Sequence, residues 1–258
     1  MSGAPEILEF LGIARRAADL AREVIMPLYG AGIDVSLKDD QTPVTVADRR
    51  AELAMRDFLE RECPDHGLLG EEFGETPGDG RHRWILDPID GTKSFIHGVP
   101  LFGTLVALEI EGEPVVGVIA CHAVGETVYG ARGHGAFVNG EPARVSTTAR
   151  LSAATVLSTT VAGLVNEHGQ ALAALSGQAG LLRTWGDCYG YLLVATGRAD
   201  VMLDPTMNLW DLAALVPVIT EAGGRITEWS GKPMPRISSV ASNGILHEAV
   251  LTLLGEHR

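Results

Sequence analysis

From Pro5 to Tyr29 the apolar side chains Ile7, Leu11, Ala14, Ala18, Ala21 and Ile25 recur at alternating steps of four and three, with Glu9, Arg16, Asp19 and Glu23 between them. That spacing lines one face of a 3.6-residue repeat and predicts an amphipathic helix. The next stretch, "AGIDVSLKDDQTPV", is polar and rich in turn formers, which predicts a loop. Thr45 and Asp48 then make a T-x-x-D capping pattern that opens a second helix to about Glu62.

The pattern changes in the middle of the chain. "LFGTLVALEI", "PVVGVIA", "ETVYGA" and "GAFVNG" are short β-rich runs punctuated by Gly and Pro, and they predict a meandering, largely antiparallel sheet. Beyond about Leu151 strand-like and helical runs alternate: "ATVLST", a helix near Val165–Leu175, "GDCYGYLLVATG", "ADVMLD", then "NLWDLAALVPVITEAGG". This alternation predicts a second α/β layer set. The chain thus divides into an N-terminal α+β half, residues 1–150, and a C-terminal α/β half, residues 151–258, sharing an interface because no linker separates them. Pro217 removes a hydrogen bond inside the last helix and predicts a kink, and Gly223-Gly224 predicts its end.

Composition narrows the classes. A 46% hydrophobic content supports a sizeable core, and a net charge of -13 lacks the clustered cations that nucleic acid requires. Cys63, Cys121 and Cys188 form no C-x-x-C pair, which argues against a zinc or disulfide framework and for a cytoplasmic protein. "MSGAPEILEF" shows no basic segment followed by an apolar one, and no run of about 20 apolar residues predicts a membrane span. The eight histidines show no ligand spacing.

In "WILDPIDGTKSF" an apolar run ends on Asp87 and Asp90, followed at once by Gly91, Thr92 and Lys93. "GLLGEEFG" places Glu71 after another apolar run, and "NLWDLAAL" places Asp211 in the first turn of a helix. Two carboxylates about 4 Å apart repel by roughly 1 kcal/mol in water and about 4 kcal/mol at an effective dielectric near 20. If these elements converge, either some acids stay protonated or a cation sits among them. Oxygen-only ligands favour Mg²⁺, with Mn²⁺ as a substitute, and Mg²⁺ prefers to share its shell with water and substrate phosphate. Gly91 and Thr92 would offer such a phosphate the free N–H groups of a helix start. Taken singly, each acid also has a plainer reading: D-x-x-D as turn chemistry, Asp211 as a helix N-terminal charge, Asp48 as a capping-box partner.

Together "GEEFG", "WILDPIDGTKSF" and "NLWDLAALVPVITEAGG" resemble the inositol monophosphatase-like family of magnesium-dependent, lithium-sensitive phosphatases, with "PVTVADRRAE" and "ASNGILH" extending the likeness over nearly the whole chain. The resemblance implies a layered αβαβα sandwich, a homodimer and two or three Mg²⁺ ions. It implies that Glu71, Asp87 and the carbonyl of Ile89 hold the first metal, that Asp87, Asp90 and Asp211 hold a second, that Glu71 and Thr92 orient the attacking water, and that Asp48 supports Thr92.

Within the family, Lys93-Ser94-Phe95 after D-G-T and the continuation "FIHGVPLFGTLVAL" resemble the histidinol-phosphate phosphatases. Asp187 follows a Gly at a helix start in "RTWGDCYGY", where an acid could pair with the ammonium of histidinol or serve as a helix cap. Asp204 matches an acid that touches substrate, although many relatives carry the longer Glu. Asn243 could meet an imidazole or close a turn. The expected substrate is therefore L-histidinol phosphate. Inositol-1-phosphate or a broader range of polyol phosphates is the alternative, followed by a 3′-phosphoadenosine compound or a non-catalytic metal-binding role.

Overall fold

The computed structural model of the chain describes residues 4–31, 35–37 and 43–256. Helix α1 (Ala4–Ile25) follows the amphipathic pattern, with Ala14, Ala17, Ala21 and Ile25 fully buried. Strands β1 (Val35–Leu37) and β2 (Pro43–Thr45) pair antiparallel where a loop was expected, and residues 32–34 and 38–42 of that stretch lie outside the described residues. The loop expectation failed there because polar, turn-rich composition does not register a three-residue strand held by backbone hydrogen bonds. Helix α2 (Val46–Glu62) opens on the expected capping box: Ala47 N donates to Thr45 Oγ1 at 3.1 Å, and Thr45 N donates to Asp48 Oδ2 at 2.8 Å.

Strands β3 (Gly67–Gly70), β4 (Gly74–Thr76) and β5 (His82–Asp90) lead into the short helix α3 (Thr92–Ile96). The meander continues through β6 (Gly103–Ile110), β7 (Glu113–Cys121), β8 (Glu126–Ala131), β9 (Ala136–Val138) and β10 (Glu141–Ala143). These eight strands form one sheet in the order β10-β9-β8-β7-β6-β5-β3-β4, antiparallel throughout except for the parallel pair β3–β5.

The remaining elements are β11 (Thr155–Ser158), α4 (Val161–Gln178), β12 (Leu181–Arg183), α5 (Asp187–Ala195), β13 (Val201–Asp204), α6 (Leu209–Leu212), α7 (Leu215–Glu221), β14 (Arg225–Thr227), β15 (Ser239–Ser242) and α8 (His247–Glu256). Five of them make a mixed sheet in the order β12-β11-β13-β15-β14. The expected single helix after Asn208 is two, α6 and α7, broken at Ala213-Ala214 one turn ahead of Pro217. Pro217 has no N–H for the Ala213 carbonyl, and the hydrogen-bond ladder is interrupted ahead of it while Ala213 (φ -60°, ψ -39°) and Ala214 (φ -70°, ψ -28°) keep right-handed helical dihedrals. It ends as expected: Gly223 has φ +88°, its N–H reaches Thr220 O, and Gly224 N reaches Ile219 O, which is a Schellman stop.

Three apolar clusters fill the spaces between layers. One lies between α1–α2 and the large sheet, a second holds α5, α6 and α7 between the two sheets, and the third lies under α4 and α8 on the far face of the small sheet. Helix, sheet, helix, sheet, helix is the layered αβαβα sandwich expected from the sequence. Among the described residues no helix is long and apolar enough to cross a membrane.

Candidate active site

A regular strand turns side chains three positions apart to opposite faces, so Asp87 and Asp90 should diverge. They do not, because β5 carries a bulge: Asp87 pairs with Leu105 and Asp90 with Gly103, leaving Pro88 and Ile89 of β5 opposite Thr104 alone on β6. Trp84, Leu86 and Ile89 face the outer helices, whereas Ile85 faces the middle layer, so the face parity slips by one between Leu86 and Ile89. Pro88 sits in the bulge, where its missing N–H costs no ladder bond. Its carbonyl accepts from Thr104 Oγ1 at 2.8 Å. That bond uses the single hydroxyl proton, so the buried His122 Nε2, 2.8 Å from Thr104 Oγ1, is the donor to it.

Asp211 arrives from the middle layer as the third residue of α6, with its Oδ2 accepting from Asn208 N at 2.7 Å. Its helix-terminus role and its place in the cluster therefore coexist. Asp87, Asp90 and Asp211 each bring a carboxylate oxygen within 4.8 Å of the others. Glu71, in the turn between β3 and β4, joins them: its N–H donates to Leu86 O at 3.2 Å, and its charge bears on both Asp87 and Asp211.

The electrostatic consequence is the one expected of converging acids. Burial, then Glu71, Asp90 and Asp211, push Asp87 well above the usual carboxylate range. Burial, then Asp187 and Asp211, do the same to Asp90, which Cys188 N opposes by donating to Asp90 Oδ2 at 2.5 Å. Burial raises Asp211 to about 6. Asp87 is 1% exposed, and its Oδ1 is buried without a hydrogen-bond partner. An orphaned acceptor inside an all-oxygen cluster fits a hard divalent cation such as Mg²⁺. Asp87, Asp90, Asp211 and Glu71 are the side chains placed to hold it.

Gly91 follows at φ +84°, where a Cβ would lie 3.0 Å from Leu101 O and 3.1 Å from Asp187 Oδ2. Glycine is what lets the chain turn from β5 into α3 at this point. Thr92 Oγ1 donates to Ile89 O at 3.0 Å, and Lys93 is exposed beside it. Asp48 Oδ2 accepts from both Thr45 N and Thr45 Oγ1, the latter at 2.6 Å, which is its capping role. Burial nevertheless raises Asp48 to about 6.

Asp187 opens α5 in the left-handed region, φ +50°, a conformation that Asp tolerates better than most side chains. Its N–H donates to Thr159 Oγ1 at 2.9 Å, and Gly186 packs against Thr159, which together anchor the helix start on β11. Burial raises Asp187 to about 6, with Lys93 and a hydrogen bond from Ser94 opposing. Asp187, Asp204, Asp90 and Asp211 line one cavity of about 80 Å³ together with Thr159 and Tyr191. Asp204 is held from behind, by Tyr191 OH at 2.8 Å and Thr159 N at 3.3 Å, and burial raises it to about 7.

Asn243 is not among these residues. Its Nδ2 donates to Ser146 Oγ and Thr148 O, and its Oδ1 accepts from Leu246 N, so its amide closes the turn before α8. The substrate role expected of it is withdrawn, since all its polar atoms point into the fold.

Sequence reading missed Glu52, which lies under the Glu71 turn. The signal was present as an i, i+4 Glu52–Arg56 pair on the same stripe of α2 as the apolar Ala51, Met55 and Leu59. A second group of possible metal ligands, His66, Asp79 and His82, was missed as well. The two imidazoles are stacked with planes 9° apart, so no one ion can lie in both ring planes as placed.

Residues 6–258 match the inositol monophosphatase family. A histidinol-phosphatase of Chlorobaculum parvum is 46% identical over 86% of this chain and 86% of its own. An inositol-1-monophosphatase of Rhizobium meliloti is 40% identical over 84% of this chain and 85% of its own. The crystal structure of the extragenic suppressor protein suhB of Bartonella henselae superposes with a TM-score of 0.92 at 30% identity, covering 97% of this chain and all of that one. The chain belongs to the inositol monophosphatase family and is a phosphatase.

Proposed function

We propose that this protein is a Mg²⁺-dependent phosphomonoesterase that hydrolyses L-histidinol phosphate to L-histidinol and phosphate. The phosphatase step is supported by the convergence of Asp87, Asp90 and Asp211, with Glu71 bearing on Asp87 and Asp211 and with Asp87 Oδ1 left without a hydrogen-bond partner. When bound, the metal stabilises charge on the phosphoryl group and makes water a better nucleophile. Glu71 and Thr92 would orient that water, which would donate one hydrogen bond to the Glu71 carboxylate and one to Thr92 Oγ1, whose own proton goes to Ile89 O. Gly91 and Thr92 present the first N–H groups of α3 to the phosphate.

Asp187 carries the substrate assignment. It lines the same cavity as Asp90 and Asp211, and even with Lys93 and Ser94 beside it burial leaves it at about 6, an acid short of positive charge. The ammonium of histidinol supplies that charge and a polyol does not. The histidinol-phosphatase of Chlorobaculum parvum supports the same reading. Inositol-1-phosphate is the second reading, favoured by Lys93, which already offers Asp187 a cation. The proposal carries with it a cytoplasmic homodimer sensitive to lithium.

The deciding measurement is phosphate release from histidinol phosphate and inositol-1-phosphate side by side, with excess Mg²⁺, compared as kcat/KM. A preference of about a hundredfold, roughly 2.7 kcal/mol of differential transition-state binding, supports the assignment. Equal values move the enzyme to the polyol-phosphate reading.

A further inference from the structure

We propose that Glu52 is a positioning residue for Glu71, and through it for the metal centre; the inference rests on the phosphatase reading above. Glu52 is wholly buried on α2 and points at the turn between β3 and β4. Its Oε2 accepts from Glu72 N at 2.7 Å and its Oε1 from Phe73 N at 3.2 Å. These are the two amides that directly follow Glu71. On the other side Glu71 N is tied to Leu86 O, so the peptide units flanking Glu71 are clamped between α2 and β5.

Two further features show that the clamp is built for this purpose. Gly70 has no side chain where a Cβ would stand 2.0 Å from Glu52 Oε1, so glycine is what admits the carboxylate to the turn. Arg56 neutralises Glu52 through Nε at 2.8 Å and passes to β4, donating from Nη1 to Thr76 Oγ1 at 3.2 Å and from Nη2 to Gly74 O. Helix α2 thereby holds the turn from Glu72 through the start of β4, while β5 holds its other side at Glu71 N. A buried carboxylate that accepts from three donors cannot be replaced by an amide, because Gln has one acceptor oxygen and must turn its NH₂ toward a donor.

The test compares Glu52→Gln, the double variant Glu52→Gln/Arg56→Met, and Met55→Ala as a packing control on the same helix. The double variant leaves no unpaired buried charge, so it folds even where the single variant is too unstable. Mn²⁺ affinity is read from the electron paramagnetic resonance signal of the free ion, and kcat and KM from phosphate release. We expect Mn²⁺ binding weakened by about tenfold or more and kcat lowered by a similar factor in either folded Glu52 variant, with KM for the ester little changed. Met55→Ala is expected to lower the melting temperature and keep the Mn²⁺ affinity. Wild-type Mn²⁺ affinity in a folded Glu52 variant, or an equal loss in Met55→Ala, overturns the positioning role. Wild-type protein that binds Mn²⁺ but releases no phosphate from any ester overturns the phosphatase reading instead, and the Mn²⁺ titration still decides Glu52.

Discussion

The hydroxyl of Thr104 donates to the carbonyl of Pro88 at 2.8 Å, and so pins the bulge that brings Asp87 and Asp90 to one face of the sheet. Neither residue carries a charge, yet the spacing of the two acids depends on this bond. Thr104→Val keeps the shape of the side chain, removes the bond and leaves the buried Nε2–H of His122 without its acceptor. The expected cost is about 1–3 kcal/mol of stability, together with weaker Mg²⁺ activation, read by thermal melting and by titrating the metal into the assay.

Asp90 lies at the centre of the cluster, within reach of Asp87 and Asp211 and bonded to Cys188 N. Asp90→Asn relieves carboxylate repulsion, so the variant is expected to fold and, without metal, to melt at or above the wild-type temperature. It is expected to hydrolyse no measurable ester, each 1.36 kcal/mol of lost transition-state stabilisation being about tenfold in rate. Near-normal turnover would remove the metal-centre assignment.

The raised carboxylates make the stability of the metal-free protein depend on pH. Asp48, Asp187 and Asp211 stand at about 6 and Asp204 at about 7, against an ordinary value of 3.8. Between those values the folded protein keeps protons that the unfolded chain has lost, so folding is favoured below about pH 4 and that contribution drains away as the pH rises toward 7. In chelator the melting temperature is expected to fall between pH 5 and pH 7.5, apart from any acid unfolding at lower pH. Added Mg²⁺ is expected to flatten the dependence, and a melting temperature that rises across this range in chelator would contradict the cluster.

Asp187→Asn tests the substrate assignment without disturbing the backbone, because Asn also accepts φ +50°. Loss of a charge-assisted bond worth roughly 1.5–3 kcal/mol corresponds to about ten- to a hundredfold in kcat/KM for histidinol phosphate. Inositol-1-phosphate, which has no ammonium, is expected to lose little. Equal losses on both esters would assign Asp187 to Lys93 and to the helix start.

The acids of the centre were legible as a set because "GEEFG", "WILDPIDGTKSF" and "NLWDLAALVPVITEAGG" occur together in one chain, although each acid taken singly has a plainer reading. The capping box of α2 and the Gly223 stop were legible because they depend on neighbours within a few residues. For Asn243 the sequence left an imidazole contact and a turn open, and the fold spends its amide on the turn, since a side-chain amide is satisfied by whichever backbone groups the fold brings near. The capping role of Asp48 was legible because its partner Thr45 is three residues away.

The sequence by itself determined the periodicities, hence the helices and the meander, and the chemical character of the centre, because oxygen ligands without Cys or paired His limit the metal. Tertiary structure alone decided how the acids meet. The bulge at Pro88 reverses a face parity that a three-residue spacing would otherwise impose. Glu71 and Asp211 converge from separate layers, and Glu52 reaches across from α2 to hold a turn some 20 residues further on. Such contacts depend on packing between distant segments, and one-dimensional spacing carries no information about which buried carboxylate will face which backbone amide.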